Sequence, residues 1–194
     1  MSEFAAVLLA GGNSMRMGQD KALLPWADAT LLEHQLAKLR ATGASEVFVS
    51  ARNAEKYRRA GAPIICDDCD PSGPLGGISS VLRHVRTPFL LALGIDMPAM
   101  TAAFLCGLIG KTEPTRGVIV ERDGWFEPLA AVYPCESLPI AEAQIARRKF
   151  AMQAFIHELI VANLMKVLPL RPADFSLFTN LNQPSEFDRS VAEQ

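Results

Sequence analysis

The chain is 194 residues long, 49% hydrophobic and 21% charged, with 19 Lys and Arg against 21 Asp and Glu for a formal net charge of −2. That length suits one domain, residues 1–194, with a sizeable core, and the near-neutral balance excludes the basic excess expected of a nucleic-acid binder. No apolar run is long enough to span a bilayer and Met1-Ser-Glu-Phe4 lacks the basic start of a signal peptide, so a cytoplasmic protein away from the membrane is expected.

Residues 4–10 form an apolar run that reads as a buried strand, and it breaks at Gly11-Gly12 into a polar loop carrying Asn13, Ser14, Arg16, Gly18 and Lys21. Glycine lets the backbone turn tightly and approach a ligand, so successive N–H groups can converge on phosphate oxygens. Arg16 and Lys21 add two mobile cations. The loop is neither GxGxxG nor GxxxxGK[ST], because Met17 stands at the second glycine of the latter. On composition alone it would serve equally as a generic glycine turn with solvated charges.

Thr30-Leu-Leu-Glu33 is a capping box, and Leu31, Leu32, Leu36 and Leu39 fall on one face of a helix that stops near Gly43. A strand at 46–50, a short helix at 54–60 and a strand at 63–66 follow. Gly73-Pro-Leu-Gly-Gly77 then precedes a helix to about residue 85. The continuous apolar run at 89–95 is a strand of the kind buried on both faces of a parallel sheet. Such alternation of strands and helices implies an α/β fold, a three-layer, Rossmann-like, doubly wound and mostly parallel sheet.

Ligands of such sheets bind outside the carboxyl ends of the strands. Those ends carry the glycine loop, Ser50-Ala-Arg52-Asn53, Asp67-Asp68-Cys-Asp70 and Asp96-Met-Pro98. Carboxylates beside a phosphate loop repel the ligand unless a hard divalent cation lies between. Mg²⁺, with Mn²⁺ as a substitute, takes one or two carboxylates and completes its shell with water and phosphate oxygens. Asp96 is the best candidate ligand, since it follows a buried strand directly. The alternative, a cap for the helix beginning near Thr101, places Asp96 several residues early. Asp68 and Asp70 read equally well as solvated loop residues. Cys66-Asp-Asp-Cys69 has the spacing of redox and zinc sites, but Cys106, Cys135 and the three histidines supply no second half.

Past residue 110, strands are expected at 117–121 and 129–133, joined by a hairpin-like excursion. Residues 145–164 read as one helix with Phe150, Phe155, Leu159 and Ile160 on its apolar face and Arg147, Arg148 and Lys149 at its start. That basic cluster reads as a solvated face or as an anion contact. If residues around 180 form a strand, Asn180 and Asn182 present two amides on one face, able both to donate and to accept. His34, His84 and His157 fall in expected helices and read as structural.

LAGGNSMRMGQDK (residues 9–21) closely resembles the signature loop, LAGGxSxRMGxDK, of the nucleotidyltransferases that include the molybdenum cofactor guanylyltransferases. LALGIDMP (91–98) is similar to that family's metal-binding segment, EPLAAVY (127–133) to a segment lying between nucleotide and acceptor, and NLNQPSE (180–186) to its closing segment. The resemblance spans nearly the whole chain. It implies a nucleotide-diphospho-sugar transferase-like fold. It also implies a loop at Leu9, Ala10, Gly11 and Gly12 that wraps an NTP, with Lys21 and Arg16 neutralising phosphate charge and Asp96 holding the metal. By the same resemblance Asp67 helps fix the nucleotide, Ser50 stands where the family often has Asn, and Asn180 and Asn182 meet the acceptor.

The activity so implied is transfer of GMP from GTP to molybdopterin or molybdenum cofactor, with release of pyrophosphate. Guanine presents adjacent N1–H and N2–H₂ donors that carboxylates or carbonyls accept, which cytosine lacks. Molybdoenzymes or cofactor chaperones are implied partners. The alternatives are a cytidylyltransferase of the same cofactor, whose loop more often reads LAAG, a sugar-phosphate nucleotidyltransferase, which is usually longer, and a GTP-binding scaffold that delivers cofactor without turnover.

Overall fold

Six consecutive buried residues make the first strand, β1 (Phe4–Leu9), as a central parallel strand covered on both faces requires. The computed structural model describes residues 3–11, 20–66 and 73–180 of the chain. Beside β1 lie β4 (Val47–Ala51) and β5 (Ile64–Cys66) on one side, and β6 (Phe89–Gly94), β9 (Ala130–Pro134), β7 (Gly117–Arg122) and β10 (Met165–Pro169) on the other. Their spatial order is β5-β4-β1-β6-β9-β7-β10, and β8 (Trp125–Phe126) pairs with β7 to complete eight strands. β1 runs parallel to β4 and β6, β4 to β5, and β7 to β10. Only β8 and β9 run the other way.

The helices divide between the two faces. α1 (Leu31–Ala41) and α3 (Ala102–Ile109) cover one, packing Leu36, Leu39, Leu105 and Leu108 on Ala6, Leu8, Leu91 and Leu93. α2 (Gly73–Leu82), α4 (Leu138–Ala146) and α5 (Met152–Val161) cover the other, packing Leu75, Ile78, Phe155 and Leu159 on Ala5, Val7, Leu90 and Ala92. Alternate side chains of each strand thus enter opposite cores, and the three-layer α/β architecture read from the sequence is what the chain forms. No helix among the described residues is long and apolar enough to cross a membrane.

The capping box at the start of α1 is present in both directions. Thr30 Oγ1 accepts from the Glu33 N–H at 3.2 Å, and Glu33 accepts from the Thr30 N–H at 2.8 Å. A small ribbon, β2 (Pro25–Trp26) paired with β3 (Ala29–Thr30), leads into it and buries Trp26 in the core.

Two expectations are corrected. Residues 145–164 are not one helix: α4 ends at Ala146, Arg148 turns the chain with φ 56°, and α5 begins at Met152. The helix after Gly73-Pro-Leu-Gly-Gly77 begins within that segment, at Gly73, where Pro74 fits the first turn because its missing N–H has no intrahelical partner there. The strand expected at 129–133 is present as β9, and it inserts between β6 and β7.

Where β9 meets β7 the backbones come unusually close. A Cβ on Gly117 would overlap the Val132 carbonyl oxygen and lie 2.8 Å from Pro134 Cδ. Since a backbone oxygen cannot swing aside, Gly117→Ala should cost about 1–3 kcal/mol. At about 2–4 °C per kcal/mol in a chain of this size, the thermal midpoint followed by circular dichroism should fall by several degrees. An unchanged midpoint would mean that the strands separate freely at this point.

Candidate active site

Parallel registration brings the carboxyl ends of the central strands to one level. Leu9 stands opposite Ser50 and Gly94, and Ala51 opposite Cys66. Just past these pairs the Ala10 N–H donates to the Ser50 carbonyl at 2.9 Å and the Ile95 N–H to the Leu9 carbonyl at 3.2 Å. The departure point of the first loop is therefore tied to both neighbouring strands. Leu9 and Ala10 are buried and Gly11 is half-buried. Ser50 is only 1% exposed, and its carbonyl anchors Ala10. Gly12 and Arg16 lie outside the described residues, as do Asp67 and Asn182.

The chain re-enters at Asp20, which caps a 3-10 turn, Lys21–Leu23, by accepting from the Ala22 N–H at 3.2 Å. Lys21 opens that turn and is half-buried. Its neighbour Ala22 is 1% exposed and belongs to the same core as Leu8, Ile95 and Met97. Asp20 is held from a second direction by the Tyr57 hydroxyl at 2.8 Å and by Lys56 at 3.4 Å. Burial, followed by the bond to Asp20, pushes the Tyr57 hydroxyl well above its ordinary pKa, so it remains a donor at neutral pH. Lys21 consequently stands on a turn pinned below by Ala22 and at its start by Asp20, rather than on an open loop.

Asp96 lies in the turn that ends β6, half-buried, with the Met97 N–H directed at the Gly94 carbonyl at 3.4 Å. The helix-capping role that competes for an aspartate in this region belongs to Thr101, whose Oγ1 accepts from the Phe104 N–H at 3.2 Å. Gly94 leaves room for the carboxylate: a Cβ there would stand 2.7 Å from Asp96 Oδ1 and 3.2 Å from Leu129 Cβ. From behind, Gln35 Nε2 donates to the carbonyls of Gly94 and Met97, and Lys38 Nζ to that of Pro98. Burial pulls the Lys38 ammonium down to about 8. His34, also on α1, packs against Trp26. Gln35 and Lys38 were not singled out in the sequence, although Gln35 lies four residues from both Leu31 and Leu39 and so falls on the apolar face.

The donor set suits a hard divalent cation. Among the described residues no three His, Cys, Asp or Glu side chains converge to hold a metal by themselves. A carboxylate such as that of Asp96 fits a cation like Mg²⁺, which takes one or two protein carboxylates and draws its remaining ligands from water and substrate. Cys66 is an exposed free thiol, and its partner in the CxxC spacing lies outside the described residues.

The reversed strand β9 brings a further carboxylate to this edge. Glu127 precedes it, its N–H donating to Val120 at 3.0 Å, while Leu129 accepts the Gly94 N–H at 2.7 Å. Burial raises the Glu127 carboxyl above its ordinary pKa, against the pull of Arg122 at 3.9 Å. Arg122 in turn lies over the Phe175 ring at 5.1 Å. Gln153, in the first turn of α5, exchanges two hydrogen bonds with the Phe126 backbone at this same end.

Asn180 does not sit in a strand. It follows a 3-10 helix, Pro172–Phe178, and is exposed.

A model of the MobA-like NTP transferase domain matches residues 6–162. A protein of Opitutus terrae named "probable molybdenum cofactor guanylyltransferase" is 34% identical over 191 residues, covering 97% of this chain and 95% of its own. Among solved structures, molybdopterin-guanine dinucleotide biosynthesis protein A from Archaeoglobus fulgidus superposes with a TM-score of 0.80 at 22% identity over 97% of each chain. The manganese complex of Rv0371c from Mycobacterium tuberculosis superposes with a TM-score of 0.70 at 16% identity over the full length of both. Both structures share the fold, and the family match and the Opitutus relative each cover most of the sequence. The chain belongs to the MobA-like NTP transferase family.

Proposed function

We propose that this enzyme transfers GMP from GTP to molybdopterin or its molybdenum form, in the cytoplasm, with Mg²⁺ as the metal. An oxygen of the acceptor phosphate attacks the α-phosphorus of GTP; the bond from that phosphorus to the α,β-bridging oxygen breaks, and pyrophosphate leaves. The observation that carries this reading is the near full-length similarity to the Opitutus protein named "probable molybdenum cofactor guanylyltransferase".

In this reading Leu9, Ala10, Gly11 and Gly12 wrap the triphosphate, and Lys21 and Arg16 offset charge on the departing pyrophosphate. Asp96 is the metal ligand, and bound Mg²⁺ supplies Lewis-acid polarisation of the α-phosphate. Ser50 and Asp67 help seat the nucleoside, and Asn180 and Asn182 offer amides to the pterin edge. Holding acceptor and nucleotide in line is itself a large part of the catalysis, because little covalent chemistry is asked of the protein.

The base is the feature to test. With Mg²⁺ present, GTP should bind more tightly than CTP, UTP or ATP in calorimetric titrations. It should also support pyrophosphate release with the molybdopterin acceptor. Equal or tighter binding of CTP would move the assignment to a cytidylyltransferase of the same cofactor. GTP binding with no pyrophosphate release would leave a delivery scaffold.

A further inference from the structure

We infer that Gln35, seconded by Lys38, is a positioning residue that sets the direction of the Asp96 carboxylate toward the metal. The inference rests on the reading of Asp96 as the metal ligand. Gln35 is fully buried on the apolar face of α1, among Leu31, Leu32, Leu36 and Leu39. Its Nε2 donates both hydrogens, one to the Gly94 carbonyl at 3.3 Å and one to the Met97 carbonyl at 3.0 Å. Those two residues are the ends of the turn that contains Asp96, so one amide bridges the turn from below. Three residues on along the helix, Lys38 Nζ donates to the next carbonyl, that of Pro98.

The hydrogen-bond count argues that holding this turn is what Gln35 does. Its Oε1 is buried with no hydrogen-bond partner among the described residues, so the side chain carries an unmet desolvation cost that an apolar residue of similar length would not. The two carbonyls also have other partners: Gly94 accepts from Met97 at 3.4 Å, and Met97 accepts from Met100 at 3.1 Å. Removing the amide therefore strands no backbone group. What the amide adds is a fixed separation and orientation of the turn ends, and with them of Asp96. A cation that demands near-ideal octahedral geometry is sensitive to that orientation.

The test is Mn²⁺ binding to the GTP-loaded protein, read by the loss of free-ion EPR signal, on wild type, Gln35→Met and Asp96→Asn, with thermal midpoints and metal-free GTP affinity measured beside it. Groups that orient metal ligands typically contribute roughly 10–100-fold to metal affinity. Gln35→Met should weaken Mn²⁺ by about that factor while the thermal midpoint holds or rises and metal-free GTP affinity stays the same. Asp96→Asn should weaken Mn²⁺ at least as much. If Asp96→Asn weakens Mn²⁺ and Gln35→Met does not, the inference is overturned and the Asp96 reading stands. If Asp96→Asn leaves Mn²⁺ binding unchanged, the Asp96 reading fails and this inference falls with it. Should Gln35→Met not fold, Lys38→Met, at a half-buried position, probes the same tether. It should give a smaller loss of Mn²⁺ affinity, and no loss would overturn the inference.

Discussion

Lys21→Ala is expected to lower the rate of GMP transfer by about 10²–10³ while the protein stays folded. The physical basis is differential: the ammonium's contact strengthens as negative charge builds on the leaving pyrophosphate, so its loss raises the barrier more than it weakens GTP binding. Packing beneath the turn comes from Ala22, and its opening hydrogen bond from the Asp20 cap, neither of which the substitution removes. Single-turnover pyrophosphate release, with the folded state followed by circular dichroism, measures both halves. Wild-type kinetics in a folded Lys21→Ala protein would remove Lys21 from the phosphate site.

Asp96→Asn is expected to separate binding from chemistry. The substitution is nearly isosteric and keeps an oxygen at the end of β6, and Thr101, not Asp96, caps α3, so little stability should be lost. What disappears is the formal charge that draws Mg²⁺, which prefers charged oxygen to an amide. Pyrophosphate release at limiting Mg²⁺ should fall by about two orders of magnitude, with GTP affinity only modestly reduced. Raising Mg²⁺ or Mn²⁺ should recover part of the rate, because the defect is in metal occupancy. Normal turnover at limiting Mg²⁺ would shift attention to Asp67, Asp68 and Asp70.

The central half of the sheet is legible in the sequence because burial on both faces leaves so few options. Runs such as 4–9 and 89–94 are apolar throughout, the capping box at Thr30 declares the start of α1, and each strand end is marked by a polar or glycine break. The half of the chain past residue 110 is harder to read for equally physical reasons. The α4–α5 break has no glycine or proline to announce it, since Arg148 itself adopts the left-handed conformation. β10 is an edge strand with partly exposed residues, and its alternation begins where the pattern of α5 fades. The reversal of β9 depends on pairing with β6 and β7, which no local pattern encodes.

Of the proposed site, Asp96 is legible as a carboxylate at a strand end and Lys21 as a cation in the loop that follows the first strand. What supports them is not, because Gln35, Gly94 and Tyr57 act through contacts 35 to 62 residues away in sequence. Gln35 did leave one trace, a polar residue inside an otherwise apolar helical stripe. Asn180 shows the opposite failure: paired amides suggested a strand face, whereas the segment leading to it is a 3-10 helix.

A crystal structure with GTP and Mn²⁺, the metal located by its anomalous signal, measures directly where the nucleotide and its metal lie. Mn²⁺ coordinated by the Asp96 carboxylate, with the triphosphate running along residues 10–21, is the predicted result. GTP seated instead in the cavity of about 410 Å³ lined by Leu23, Thr30, Tyr57 and Arg59, with no metal at Asp96, would contradict it.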